Sequence, residues 1–315
     1  MGTDSAREPK IYIITINWNQ GEDTTKCLES LKALDYKNYE IILVDNGSID
    51  GSPDRIAAKF PNVMLMRNKE NLGFAGGNNV GIRYALSRGT DYIFLLNNDT
   101  KVDSGVLREL INVAEPDAKI GVVGAVNYSF EYPDKAITVC TSFNWFTGFT
   151  KKEPLEAISK GIISEPQEVH GVTGSSLLIK REVIERIGML DERFFIYYED
   201  TDWCVRARKA GFRVLYVPKA KIWHKISITF GEKSVKEYYL YTRNILLFMA
   251  KDCPKVFVPS FFLFYIIKNF VYSLKFIMTG KAEYAKAIFL GFVDFLSGNF
   301  GEGRLDQFVS IKRSI

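Results

Sequence analysis

The sequence predicts an α/β fold: a mainly parallel central sheet flanked by helices, with a helical extension at the C-terminus. Three observations predict it. Over the first hundred residues, short apolar runs alternate with segments of helical spacing, the pattern of βαβ units. The predicted strands of that region end in stretches rich in Asn, Asp and Gly. After residue 250 the chain turns to long apolar runs broken by single lysines.

The elements follow in order. "IYIITI" (11–16) is a short apolar run that ends at polar residues and reads as a strand. "DTTKCLESLKAL" (23–34) has helical spacing, with Asp23 or Thr24 as its cap. "YEIILVDNGS" (39–48) is a second strand running into a turn. "SPDRIAAKF" (52–60) is a helix, with Ser52 as N-cap and Pro53 at its first position. "NVMLMRN" is a third strand, "AGGNNVGIRYALSRG" a helix ended by Gly89, and "DYIFLLNND" a fourth strand. Residues 120–180 read as short strands and irregular loops, soft around "KKEPLEAISKG". "VHGVTGSSLLIKREVIERIG" gives a small-residue turn, a strand and a helix. "DTDWCVRARKAG" (200–211) is helical, "FRVLYVP" is a strand, and "KAKIWHK" follows it. With no linker before about residue 250, residues 1–250 read as one domain and 251–315 as the extension.

Bulk properties exclude several classes. A hydrophobic content of 47% is that of a globular chain with a full core. The net charge of +4 is too small to argue for nucleic acid as a partner. That excess lies entirely in the tail, where residues 251–315 hold nine Lys/Arg and five Asp/Glu. The four cysteines, at 27, 140, 204 and 253, form no C-x-x-C pair. Neither a zinc site nor a disulfide framework is suggested, which fits a reducing compartment. "MGTDSAREPK" has no apolar h-region, so no signal peptide is read, and Ala6 spoils a myristoylation site at Gly2.

Parallel sheets bind ligands beyond the carboxyl ends of their strands. The exits here are Asn17-Trp18-Asn19, Asp45-Asn46-Gly47-Ser48, Asn68 to Gly73, and Asn97-Asn98-Asp99. Each alone is an ordinary turn. Four in register describe a nucleotide pocket. "NLGFAGGNNVG" (71–81) opens a helix whose free N–H groups suit phosphate, although its spacing is neither a Walker loop nor G-x-G-x-x-G. "LLNNDT" (95–100) delivers Asp99 into the crevice, where one carboxylate can hold Mg2+ or Mn2+ together with phosphates. His224, one of only two histidines, lies just after a predicted strand, and imidazole suits Mn2+ better than Mg2+. "FFIYYEDTDWCVRA" (194–207) sets Glu199, Asp200 and Asp202 behind aromatic residues.

Together these motifs resemble glycosyltransferase family 2, the inverting enzymes of the GT-A fold, and most closely its rhamnosyltransferase-like members. The likeness spans about residues 10–250. It rests on "NWN", "VDNGSIDGS", "NLGFAGGNNVGI", "LLNNDT", "GSSLLIKREVIERIGMLDERFFIYYEDTDWCVRARKAGF" and "WH". The resemblance implies transfer of a sugar, often rhamnose from dTDP-rhamnose, to a hydroxyl of a glycan or lipid-linked acceptor. Asp45 matches the acid that contacts the pyrimidine, and Asn79 and Gly81 the N-x-G that closes the nucleotide pocket. Asn17, Asn71, Gly73, Asn97 and Asn98 supply further nucleotide-sugar contacts. Asp99 matches the last acid of the metal-binding D-x-D, whose first acid is replaced here by Asn97, and His224 completes that metal site for Mg2+ or Mn2+. Asp200 matches the catalytic base and Glu199 a neighbour that orients the acceptor. Asp202 reads as a first-turn acid with no chemical role. At least half of Phe194, Phe195, Tyr197 and Tyr198 read as core, the others as a platform for sugar rings.

In the tail, "VFVPSFFLFYIIKNFVYSLKFIM" (256–278) and "AIFLGFVDFL" (287–296) are strongly apolar. Pro259, Lys268 and Lys275 interrupt the first, so it reads as interfacial rather than spanning. The alternative is a helical subdomain packed on the catalytic domain or on a second copy in a homodimer. The expected location is cytoplasmic, peripheral on the inner face of the cell membrane. Rival readings are a non-catalytic nucleotide-sugar-binding relative, a family 2 enzyme using a UDP-hexose, and a nucleotidyltransferase. "NWNQGED" lacks the basic residue that the last would place after its first strand.

Overall fold

A computed structural model of the chain describes residues 7–138, 140–149, 155–225 and 234–308. The readings at Gly2 and Ala6, and the first part of the soft stretch at 151–154, lie outside these residues.

The first half of the sheet is parallel. Strand β1 (Ile11–Asn17) pairs with β2 (Tyr39–Asp45) and with β4 (Tyr92–Leu96), and β2 pairs with β3 (Met64–Arg67). Asn17 stands opposite Asp45, and Asp45 opposite Arg67, so three strand ends are level. Helices α1 (Gly21–Leu31), α2 (Ser52–Lys59) and α3 (Gly73–Ser87) make the connections. Both faces of β1 are buried: Ile11 and Ile13 join one cluster, Tyr12 and Ile14 the other. That is why this strand reads as a continuous apolar run and not as an alternation.

Two predicted caps are corrected. Gly51 at φ 70° caps α2, and Ser52 is its first residue, its hydroxyl held by Asn17 and Asp50. Helix α1 starts at Gly21, ahead of both predicted caps, and Thr24 turns its hydroxyl to Asn17.

The second half is mixed. It comprises β5 (Thr100–Val102), α4 (Val106–Ala114), β6 (Ile120–Ser129), β7 (Ala136–Thr138), β8 (Cys140–Thr141), α5 (Leu155–Ser159), β9 (Gln167–Glu168), β10 (Gly171–Val172), β11 (Ser176–Lys180), α6 (Arg181–Ile187), α7 (Glu199–Lys209) and β12 (Arg213–His224). The main path runs β3-β2-β1-β4-β11-β6-β12-β5. Strand β11 is antiparallel to both β4 and β6, whereas β12 runs parallel to β6. An antiparallel neighbour needs no helical crossover. Strand β12 is longer than "FRVLYVP". A register shift between Val217 and Lys221 lets it run through "KAKIWH" to His224. There Lys219 and Lys221 face out and Ala220, Ile222 and His224 face in, a period-two pattern.

Helices α8 (Val235–Asp252), α9 (Val258–Met278) and α10 (Ala282–Ser297) form the C-terminal layer. They share a core with the sheet domain: Phe143, Phe194 and Val205 pack with Leu246, Phe248, Phe261 and Tyr265. The boundary expected at 250 falls inside α8.

Candidate active site

The side chains at the strand exits bond first to one another. Asn17 Nδ2 donates to Asp45 Oδ1 at 2.9 Å and to Ser52 Oγ at 2.8 Å, and Ser48 N–H donates to Asp45 Oδ2 at 3.1 Å. Asp45 is buried. A carboxylate offers about four acceptor sites, so two bonds leave capacity for a ligand donor. Asn46 is the hub of the next loop. Its amide donates to Asn71 Oδ1 (2.8 Å) and Gly73 O (3.0 Å), and its carbonyl accepts from Asn68 and Leu72. Gly73, at φ +70°, lies so close to the next segment that a Cβ would meet Phe195 O at 2.5 Å.

Asn79 and Gly81 sit apart from this cluster. Asn79 Nδ2 donates to Leu190 O and Glu192 Oε1, and its carbonyl accepts from Leu190 N–H. A Cβ on Gly81 would come within 2.7 Å of Ile14. One residue ties α3 to residues 190–192 and the other lets α3 lie close on β1, so the fold already accounts for both.

The end of β4 gathers the rest. Asn97 N–H donates to Ser175 O, and its side chain lies 3.3 Å from His224 Nε2. Asn98 Nδ2 donates to Thr24 Oγ1 at 2.9 Å. Asp99 Oδ1 is 3.0 Å from His224 Nε2. His224 reaches this point because β12 pairs it with Thr100 of β5. Burial pushes the Asp99 carboxyl up, but hydrogen bonding and attraction from His224 outweigh it and leave the pKa lowered. Asp99 opens onto a cavity of about 350 Å³ that is also lined by Lys26 and Lys225.

Asp200 is one link further along. Ser175, bonded to Asn97, follows Gly174, whose N–H donates to Asp200 Oδ2 at 2.7 Å. Thr201 N–H donates to Oδ1 at 2.6 Å. Two backbone donors therefore aim a half-buried carboxylate. Burial raises its pKa, and the two N–H bonds offset that only in part. Glu199 is more deeply buried, with Oε2 unpartnered among the described residues. Burial and the neighbouring Asp200 hold its pKa well above the usual range. Asp202, expected as an ordinary first-turn acid, is fully buried instead. It pairs with Arg206 at 2.8 Å and with Lys251.

The turn that delivers these acids is strained. Phe195, Tyr197 and Tyr198 have φ of 64°, 74° and 76°, a region that costs side-chain-bearing residues about 1–3 kcal/mol each. Buried Asn244 on α8 holds it, donating from Nδ2 to the carbonyls of Phe194 (2.8 Å), Ile196 (2.8 Å) and Tyr197 (2.9 Å). Phe194 and Phe195 are core residues, as expected for half the aromatics. Tyr197 stacks on Tyr241 with centroids 4.4 Å apart.

A cavity of about 780 Å³ lies between the first strand exits and the C-terminal layer, lined by Trp18, Asn46, Asn71, Phe74, Tyr197 and Glu237 among others. Sequence reasoning placed Trp18 and Asn46 in the exits without giving them a role. Asn244 carried no signal at all, because its bonds cross about fifty residues of chain.

Comparison with known proteins gives a consistent picture. The profile of glycosyl transferase family 2 matches residues 12–188. The chain is 29% identical over 314 residues to a dTDP-rhamnosyl transferase of Shigella flexneri, covering 93% of this chain and 98% of that one. It is 26% identical over 258 residues to an N-acetylglucosaminyl-diphospho-decaprenol L-rhamnosyltransferase of Mycobacterium tuberculosis, covering 76% and 83%. Among solved structures it is similar to a mannosyltransferase of Pyrobaculum calidifontis in complex with GDP-Man and Mn2+. There the TM-score is 0.59 at 14% identity, covering 92% and 88% of the two chains. It is also similar to GalNAc-T7 with UDP, GalNAc and Mn2+, with TM-score 0.58 at 17% identity, covering 75% and 48%.

Proposed function

Because the chain belongs to glycosyl transferase family 2 and has the GT-A fold, we propose that it moves rhamnose, with inversion, from dTDP-rhamnose to a hydroxyl of a glycan or lipid-linked acceptor. One observation carries the assignment of the site. Asp99 pairs with His224 two residues past Asn97, whose N–H bonds to Ser175 O, and the adjoining Gly174 N–H bonds to Asp200, which supports placing both acids at one site. The rhamnosyl relatives support the choice of donor. The transferase domain is taken as residues 1–250 and the helical extension as 251–315.

The acceptor hydroxyl attacks the anomeric carbon from the face opposite the diphosphate. The new C–O bond forms as the bond to the diphosphate breaks, and the electron pair leaves with the phosphate oxygen. The hydroxyl proton passes to Asp200, whose backbone N–H donors fix its direction. Glu199 beside it orients the acceptor. The exits with Asn17, Asp45, Asn71, Gly73, Asn97 and Asn98 hold the nucleotide sugar; of these, Asn71 and Gly73 line the larger cavity. Asn79 and Gly81 act on it through α3, which they fix against residues 190–192 and β1.

Asp99 and His224 fit a divalent cation in part. One carboxylate and one imidazole suit Mn2+, and no group of three or more such ligands occurs among the described residues. Donor phosphates would complete the set, as is usual for Mg2+ and similar ions. When bound, the ion would offset charge on the departing diphosphate. The buried free thiols of Cys27, Cys204 and Cys253 suit a reducing, cytoplasmic setting.

The test is release of nucleoside diphosphate from dTDP-rhamnose and from UDP-hexoses, with a lipid-diphosphate-linked N-acetylglucosamine as acceptor. The reading expects turnover of dTDP-rhamnose that depends on acceptor and that EDTA abolishes. Faster turnover of a UDP-hexose would replace the donor. No turnover of any donor would favour a binding protein.

A further inference from the structure

Helix α9 turns a continuous apolar face outward. Leu263, Ile266, Ile267, Phe270, Val271 and Leu274 are all exposed, Leu263 at 64% and Phe270 at 63%, and the stripe runs on to Met278. Their steps of three and four place them on one side of the helix. Its opposite side is committed to protein: Phe261, Tyr265 and Asn269 are buried, and Tyr265 packs on Phe292 of α10. The segment Lys255–Met278 has the length and composition to cross a bilayer. With one face bound to α8 and α10, it is built instead to lie along an apolar surface.

The charge that this stretch of chain carries has one sign. From Cys253 to Lys281 the chain carries Lys255, Lys268, Lys275 and Lys281 and no acid. Lys268 and Lys275 directly follow Ile267 and Leu274, so they sit at the margin of the stripe. A second copy laid on the stripe would set the same lysine margins against each other. An anionic lipid surface is complementary to both parts of the pattern.

A loop of the sheet domain joins the same surface. Phe146 and Phe149 are about half exposed, and Phe149 packs edge-on against Phe264 of α9. Lys268 Nζ lies 4.8 Å over the Phe149 ring. Deeper in that loop, Phe143 and Trp145 pack on Phe248, which packs on Tyr198, the residue before Glu199. The loop backbone, where Asn144 N–H donates to Phe149 O at 2.9 Å, joins the exposed face to these aromatic contacts and so to the turn that bears Glu199 and Asp200.

We propose that the exposed face of α9, with Phe146 and Phe149 beside it, seats the protein on the surface of a membrane that contains anionic lipid. This reading does not depend on the assigned transfer reaction. It does give that reaction a geometry in which an acceptor held in the bilayer reaches Asp200 from the membrane side.

The experiment is co-sedimentation of the full chain with vesicles of phosphatidylcholine, alone or mixed with phosphatidylglycerol. Binding to the mixed vesicles is expected to be tighter by about tenfold or more, since each lysine near an anionic surface contributes separately. Ile266→Glu/Phe270→Glu should weaken it by about tenfold or more, because two exposed apolar side chains no longer enter the interface. Its melting temperature should not change, as neither side chain is in the core. Lys268→Gln/Lys275→Gln should reduce the preference for anionic vesicles and serves as the second variant if the first melts early. Equal binding to both vesicle types overturns the proposal, as does binding untouched by either variant. A dimer in solution that Ile266→Glu/Phe270→Glu dissociates would also overturn it, because a second copy would then cover the face.

Discussion

Asp200 and Asp202 stand two residues apart on one helix and have opposite surroundings. Asp200 meets two backbone N–H groups and, among the described residues, no ion-pair partner, and burial raises its pKa. A base with a raised pKa is protonated, and idle, below that value. Transfer should therefore fall as pH drops through a point above the ordinary aspartate range of about 4. A pH–rate profile with its acid limb at or below that range would place the base elsewhere. Asp202 is enclosed by Arg206 and Lys251, and Lys251 also reaches Asp191 at 2.7 Å. Asp202→Ala would take the buried carboxylate from Arg206, while Lys251 keeps Asp191. The cost should lie near the lower end of about 3–5 kcal/mol, because Lys251 is one-quarter exposed. Denaturant melts measure this, and turnover per folded molecule should stay near normal. The position of Asp202 in a first turn was legible from sequence. Its buried partner was not, since Lys251 is about fifty residues away on another helix. Gly73 is the reverse case, a glycine whose need is visible only in space. Gly73→Ala combines a left-handed φ with contact at 2.5 Å to Phe195. It should cost at least about 1–3 kcal/mol and weaken donor binding, which calorimetry would detect.

Among the elements, the regular βα alternation of the first hundred residues was legible because its signals are local: apolar runs, turn residues and helical spacing. The direction of β11 was not, because pairing between β4 and β6 is decided by chain far from either. The extension of β12 was hidden by two lysines that face out from an otherwise inward-facing strand. The turn at 195–198 was the least legible part. Phe and Tyr resist left-handed backbone, and only the amide of Asn244 and neighbouring contacts hold them there. Asn244→Ala removes one donor group from three carbonyls. Phe194 O keeps its bonds from Ile196 N–H and Arg243, but the carbonyls of Ile196 and Tyr197 lose theirs, which should cost about 1–3 kcal/mol. If the turn positions Asp200, transfer should also drop while donor affinity holds, and Asn244→Gln should not restore it. Loss of stability with normal turnover per folded molecule would limit Asn244 to a structural role.

At the scale of the whole molecule, the first strand exits and a helical layer line one cavity, and Asp99, paired with His224 at the end of β12, lines another. The sequence marked the exits because each is a local change from apolar to polar, and it placed His224 just beyond a shorter strand than β12 (Arg213–His224). It could not show that the tail shares a core with residues 143, 194 and 205. Removing residues 251–315 would uncover that core, so the truncated chain should be insoluble or molten. A soluble, cooperatively melting truncation would contradict the shared core. Affinity for dTDP-rhamnose should fall in EDTA, and Asp99→Ala should abolish the difference between EDTA and Mn2+, as titration calorimetry can show. In the proposed reaction a single carboxylate, Asp200, takes the acceptor proton. Asp200→Asn keeps its shape and removes its basicity, so one experiment isolates it: transfer rate and dTDP-rhamnose affinity measured together at fixed pH and metal. The account expects the rate to fall by about 10²–10⁴-fold, the usual loss with a general base, with donor affinity unchanged. An Asp200→Asn enzyme that keeps wild-type turnover would contradict it.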